Sequence, residues 1–249
     1  MRGKAIVFAH SDGDGHLAAE QTRRNLIGDG YDVTGVVVDP ERTRNYRFWE
    51  QHFQDADFGE NEHVFIVDIA LASKDFATTW KALLARVKAE PERRFHVIDH
   101  HAIRLPDLVP RNLRVSIRDS VYECCYGKPS ELMLIASICD RDEDPVATKL
   151  TQRHRALALG INRAVTARQV IAGEPLLYLL RNEHWEVFEQ LAREPADFHR
   201  TFYGNRISKE PLSPFLQLAH AVWHARVDSV RDATESLDQL PMHAAHAVS

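Results

Sequence analysis

Short apolar runs recur through the first half of the chain, each stopped by polar or turn-forming residues. Lys4 to Ala9, Tyr31 to Asp39, Val64 to Ile69, Phe95 to Ile98 and Leu113 to Ile117 are such runs. A run that is apolar without alternation predicts a strand covered on both faces. Between the strands, a helix is expected from about His16 to Ile27. Leu17, Ala18, Leu26 and Ile27 form its candidate buried face, and Gly28-Asp29-Gly30 ends it. Ser73 can cap a further helix that runs to about Ala89 and stops at Pro91. Residues 40–62 are polar and aromatic, and predict a loop with one helical turn around Tyr46 to Phe53. This alternation predicts an α/β fold, doubly wound, with a mainly parallel five-stranded sheet. Its site would lie beyond the carboxyl ends of the strands.

After Asp119 the pattern changes. Pro129-Ser130-Glu131 opens a helix whose apolar run, Leu132 to Ile138, is followed by Cys139 and Asp140. A turn is expected over Arg141 to Pro145, and no strand is predicted beyond it. Candidate helices span 146–159, 164–182, 184–194, 196–203 and 213–235. The expected organisation is an α/β domain over 1–145 and a mostly helical region over 146–249. The tail after Pro241 is expected to fray. No internal repeat or low-complexity segment is present.

Composition narrows the class. The chain has 249 residues, 44% of them hydrophobic, which is enough for a real core. A net charge of −5 argues against a protein that coats extended duplex nucleic acid through a basic surface. It leaves room for a small nucleotide whose phosphates are met by metal ions. The three cysteines, Cys124, Cys125 and Cys139, include no Cys-x-x-Cys pair, and predict reduced thiols rather than a disulfide framework or zinc knuckle. No apolar stretch approaches the length of a membrane span, so the expected location is cytoplasmic, with no membrane partner.

The candidate chemistry stands where the strands stop. The first run ends in His10-Ser11-Asp12-Gly13-Asp14-Gly15, the third in Asp68, and the fourth in Asp99-His100-His101. Around a tight glycine-containing turn, His10, Asp12 and Asp14 can converge on one or two cations. Asp68 can bridge two ions, His100 is an imidazole ligand, and Asp140 is a further carboxylate. Carboxylates with imidazole and no thiolate favour Mn²⁺, with Mg²⁺ or Co²⁺ as alternatives. Two such ions acidify a shared water and hold phosphoryl oxygens in line for attack, a metal-hydroxide mechanism. Asp99 can fix the tautomer of a neighbouring histidine, and His101 can meet charge that develops on the phosphate.

Each motif has a plainer reading when taken alone. Asp12-Gly-Asp14-Gly is also an acidic surface turn, Asp68 an ordinary strand ending, and Asp99-His100-His101 a polar strand end with one core histidine. An EF-hand fails for want of the third acid, the glycine spacing and the final Glu. An Asp-x-Asp-x-Thr phosphatase motif fails because His16 occupies the Thr position. Asp142 and Asp144 compete with Asp140, but Asp140 directly follows the apolar helix. It is the joint occurrence, in this order, that points to one metal site.

As a set, these residues resemble the DHH phosphoesterase family, named for Asp-His-His. The pattern covers roughly residues 4–145: His10-Ser-Asp12-Gly-Asp14-Gly15, Asp68 in Val-Asp-Ile, Asp99-His100-His101, and Asp140 in Ser-Ile-Cys-Asp. The resemblance implies a hydrolase with two Mn²⁺ ions. It implies His10, Asp12, Asp14, Asp68, His100 and Asp140 as ligands, with Asp68 bridging and His101 on the substrate phosphate. Members include RecJ-like single-strand exonucleases, oligoribonucleases, cyclic-dinucleotide and pAp phosphatases, and family II pyrophosphatases. The second half departs from the family, since no glycine-rich substrate-binding loop of the Gly-Gly-Gly-His type is present. The nearest stretch is Tyr203-Gly204-Asn205-Arg206, which makes Arg206 a candidate phosphate contact. The expected function is hydrolysis of phosphodiester bonds in short oligonucleotides or small nucleotides. The alternatives are a pyrophosphatase or nucleotide monophosphatase of the same chemistry, or a metal- or nucleotide-binding module without turnover. The sequence sets no oligomeric state.

Overall fold

The computed structural model describes residues 1–38, 46–55, 57–71, 77–101, 109–166 and 174–193. Five strands, β1 (Lys4–Ala9), β2 (Asp32–Val38), β3 (His63–Val67), β4 (Arg94–Asp99) and β5 (Leu113–Ile117), form one sheet in the order β2-β1-β3-β4-β5. Every pairing is parallel. The fold is therefore the α/β, doubly wound, parallel five-stranded sheet expected from the apolar runs. The chain leaves β1 toward β2 on one side and returns to β3 on the other. The carboxyl ends of β1 and β3 thus flank the switch point, the position where open α/β sheets open a crevice.

Alternate side chains divide the core into two layers. Ala5, Val7, Ala9, Phe65, Val67 and Ile98 face one layer, built with α1 (Gly13–Gly28) and α4 (Glu131–Cys139). Phe8, Val64, Ile66, Phe95 and Val97 face the other, built with α2 (Tyr46–Asp55) and α3 (Ala77–Ala89). Three further helices, α5 (Gln152–Thr166), α6 (Glu174–Arg181) and α7 (Trp185–Arg193), add Leu157, Ile161, Leu177, Leu180 and Phe188 to the α1–α4 layer. A buried charge ties α6 to α1. Glu20, fully shielded from solvent, meets Arg23, Arg24 and Arg181.

Some boundaries differ from the sequence expectation. The first helix begins at Gly13 rather than His16, because Asp12 caps it by accepting from Gly15 N at 3.1 Å. The expected single turn near Tyr46 is a ten-residue helix, since Trp49 and Phe53, four residues apart, both bury against Phe8. The helix expected from 146 starts at Gln152. Residues Asp144–Lys149 form a 3₁₀ turn, Leu150 is extended, and Thr151 Oγ1 accepts from His154 N at 3.2 Å. The span expected as one helix over 164–182 holds the end of α5 and the separate α6. Ser73, Arg206 and the helices expected over 196–203 and 213–235 lie outside the described residues. No helix among the described residues is long and apolar enough to cross a membrane.

Candidate metal centre

The turn after β1 is shaped by backbone crowding. A methyl group on Gly15 would stand 2.3 Å from His10 O, and one on Gly13 2.6 Å from Asn162 Oδ1. At Gly15 the obstacle is backbone and only glycine fits, whereas at Gly13 it is side chains, those of Cys139 and of Asn162 on α5. Asp12 Oδ1 accepts from Gly15 N, while its Oδ2 lies 2.7 Å from His10 Nδ1. Asp14 sits in the first turn of α1, where the helix dipole favours a carboxylate, and is 5% exposed.

Asp68 follows β3 with φ +56°, a left-handed conformation that costs a non-glycine residue on the order of 1–3 kcal/mol. Its N–H donates to Ile98 O at 2.9 Å, which fixes the end of β3 against β4. The carboxylate is buried, with His100 Nε2 3.1 Å from Oδ1 and the Cys124 thiol 3.9 Å from the same oxygen. His100 Nε2 is shielded from water and makes no hydrogen bond of acceptable geometry. It also lies 4.0 Å from Asp140 Oδ2.

Asp140 ends α4. Its backbone belongs to a Schellman turn in which Arg141 N donates to Ile138 O and Asp142 N to Ser137 O, with Arg141 at φ +65°. The same turn separates the three acids the sequence left in competition. Asp142 Oδ2 is taken up by Val121 N at 2.8 Å, Asp144 opens the 3₁₀ turn, and Asp140 faces His100.

Three groups of side chains bring one potential ligand atom each within 4.8 Å of one another: Asp12, Asp14 and Asp68; Asp14, His100 and Asp140; and Asp68, Asp99, His100 and His101. Asp14, Asp68 and His100 each belong to two groups, so the three form one continuous centre. His10 joins it through Asp12. Asp99 is fully buried, and its Oδ1 accepts from both His101 N at 3.1 Å and His101 Nδ1 at 2.7 Å. Asp99 therefore orients His101, whose side chain remains 44% exposed at the rim.

The electrostatics express crowded negative charge. Burial, followed by the carboxylates of Asp12, Asp68 and Asp140, pushes the Asp14 carboxyl well above its ordinary range. Burial opposes ionisation of Asp12, but the imidazole of His10 and the N–H of Gly15 hold its carboxyl below that range. Burial disfavours the charged form of His100, yet Asp68, Asp140 and Asp99 outweigh it and carry the imidazole up to about 9. His101 is raised by its bond to Asp99. Burial raises Asp99 and Asp140 as well.

A divalent cation fits this donor set. The donors are carboxylate and imidazole, His100 Nε2 is a buried nitrogen with no aligned hydrogen bond, and a cation would offset the carboxylate repulsion that adds to burial in raising Asp14. The Cys124 thiol is one neighbour that sequence reasoning missed. Nothing in its Cys-Cys context marks it, and only the fold brings it under Asp68.

No family model matches the chain, and no curated protein sequence matches it. Among solved structures, it is similar to the Mn²⁺ complex of RecJ from Thermus thermophilus, with a TM-score of 0.41 and 14% identity over 97% of this chain and 38% of that one. It is also similar to CDC45 from Entamoeba histolytica, with a TM-score of 0.37 and 12% identity over 74% of this chain and 34% of that one. The chain thus spans little more than a third of either protein's length.

Proposed function

We propose that the chain is a divalent-metal-dependent phosphoesterase of the DHH type that hydrolyses phosphodiester bonds in short oligonucleotides or small nucleotides. The observation that carries this reading is the sharing of Asp14, Asp68 and His100 among the three ligand groups at the switch point of the sheet. A site for two adjacent cations needs such shared residues, and Asp68 is one of the three that would serve both. His10, Asp12, Asp14, Asp68, His100 and Asp140 would hold two ions, with Mn²⁺ as first choice. When bound, such a pair supplies charge neutralisation for a phosphoryl group and a nucleophile at neutral pH.

The chain's own residues do the rest. Asp14, Asp68 and Asp99 form a buried floor, held by the first turn of α1 and by the ends of β3 and β4. Asp99 fixes the His101 ring through Nδ1, which leaves Nε2 to meet a phosphate oxygen. Its raised pKa keeps that imidazole cationic to higher pH, as charge on a phosphate requires. Asp140, with a side chain 41% exposed, would be the ligand nearest solvent and an incoming substrate.

The test is Mn²⁺-dependent hydrolysis of bis-p-nitrophenyl phosphate, followed by a panel of dinucleotides, pAp, cyclic dinucleotides, pyrophosphate and single-stranded DNA. Turnover of diesters that Asp68→Ala abolishes supports the reading. Metal binding with no product from any member of the panel returns the chain to a binding module.

A further inference from the structure

Arg118 immediately follows β5. Asp99 pairs with Ile117 in the β4–β5 register, and Arg118 N donates to Asp99 O at 2.7 Å. Arg118 therefore stands on the carboxyl rim of the sheet, level with His100. Its side chain is partly buried and its Nε is shielded from water. Among the described residues the guanidinium makes no hydrogen bond and no ion pair. It lies near enough to Cys125 to oppose the burial that raises that thiol, and the adjacent Cys124 underlies Asp68.

Shielding one guanidinium nitrogen from water, as at Arg118 Nε, is costly unless an acceptor or anion replaces the lost hydration. Carboxylates crowd the same rim, yet Arg118 pairs with none of the described ones. An arginine fork matches the oxygens of a phosphate and stays charged at any working pH. Its place also matters. Asp68 and Arg118 end strands two positions apart, about 10 Å at ordinary strand spacing. A phosphate held by Arg118 is thus a neighbour of the one at the metal centre.

We propose that Arg118 is a substrate-binding residue that takes a second, flanking phosphate, so that the site favours short oligonucleotides carrying a phosphate beside the scissile diester. This rests on the phosphoesterase reading. Nothing in the spacing of the motifs marks Arg118, because it belongs to no strand-end acid or histidine.

Two substrates separate the inference from the reading beneath it: a 5′-phosphorylated dinucleotide, and bis-p-nitrophenyl phosphate, which has one phosphate. Arg118→Met is expected to raise KM for the dinucleotide about tenfold or more, the loss of a charge-assisted phosphate contact, with KM for the diester within about twofold. Arg118→Lys should recover part of the loss. Mn²⁺ affinity, read by electron paramagnetic resonance titration, should be unchanged in both. Equal effects on the two substrates, no effect on either, or a loss of Mn²⁺ affinity in both variants would overturn the assignment. Calorimetric titration of chelator-treated protein with the same dinucleotide gives a readout without turnover, and weaker binding by Arg118→Met is expected. If the wild type hydrolyses neither substrate, the phosphoesterase reading fails, and the calorimetric comparison alone decides the role of Arg118.

Discussion

His100 Nε2 stands 3.1 Å from Asp68 Oδ1, at the end of the neighbouring strand, and donates no hydrogen bond to it. Two buried donor atoms this close, and out of hydrogen-bond alignment, are spaced as two ligands of one cation would be. Mn²⁺ should therefore stabilise the fold by mass action. At a free concentration a hundredfold above Kd the gain is about 2.7 kcal/mol, or roughly 5–10 °C in Tm for a chain of this size. Differential scanning fluorimetry with Mn²⁺ and then chelator measures it. His100→Ala should fold and lose most of the shift, and an equal shift in that variant would contradict the placement.

Asp14 marks the cost of holding the site without metal. Its carboxyl is raised above the ordinary range by burial and by three neighbouring carboxylates. A carboxyl raised in the folded state penalises folding as pH climbs above its unfolded value. Asp14→Asn should then stabilise the metal-free protein, by about 1–2 kcal/mol, with a larger gain at pH 8 than at pH 5. The same variant should weaken Mn²⁺ binding at least tenfold. Chemical denaturation at the two pH values, paired with metal titration, checks both. Destabilisation of the metal-free protein would show that Asp14 is a structural residue.

The loop geometry makes its own prediction. A methyl group on Gly15 would meet His10 O, a backbone atom that cannot swing away. Gly15→Ala should displace His10 and the Asp12 cap together, costing roughly 1–3 kcal/mol and most of the metal affinity. Wild-type Mn²⁺ affinity in this variant would mean that neither residue is a ligand.

Most of the sheet was legible in the sequence because strands buried on both faces read as uninterrupted apolar runs, and the acids and imidazoles fall where those runs stop. Asp12, Asp14, Asp68, Asp99, His100 and His101 follow those strand runs, and Asp140 follows the apolar helix α4. The helix at Tyr46–Asp55 was hidden because two aromatic residues, Trp49 and Phe53, carry its burial in an otherwise polar stretch. Arg118 and Cys124 were hidden for a different reason. Each is defined by what lies across the fold from it, and no local pattern encodes that. The pairing of Asp99 with His101 is likewise a matter of ring geometry.

A second histidine pair, away from the metal centre, bears on acid stability. His96 stacks on Phe65 with ring centroids 4.4 Å apart, and its Nε2 lies 3.3 Å from His63 Nδ1. Burial, with His63, Arg114 and Arg94 nearby, pushes its pKa from 6.5 down to about 4. The unfolded chain binds the proton more tightly, so the stability His96 contributes is complete above about pH 6.5. It is lost progressively as pH falls toward 4. His96→Phe should flatten this part of the stability profile, measured by urea unfolding between pH 4 and 7.5. A profile identical to wild type would contradict the burial argument.

The most direct measurement is the steady-state hydrolysis of bis-p-nitrophenyl phosphate by wild type and Asp68→Ala, with and without Mn²⁺, the folding of both proteins being checked by circular dichroism. Asp68, like Asp14 and His100, belongs to two of the ligand groups at the switch point. The expected result is Mn²⁺-dependent turnover by wild type that falls at least a hundredfold, about 2.7 kcal/mol or more of transition-state stabilisation, in a folded Asp68→Ala. Turnover that survives in Asp68→Ala, or that needs no divalent cation, would contradict the assignment of this cluster as a catalytic metal centre.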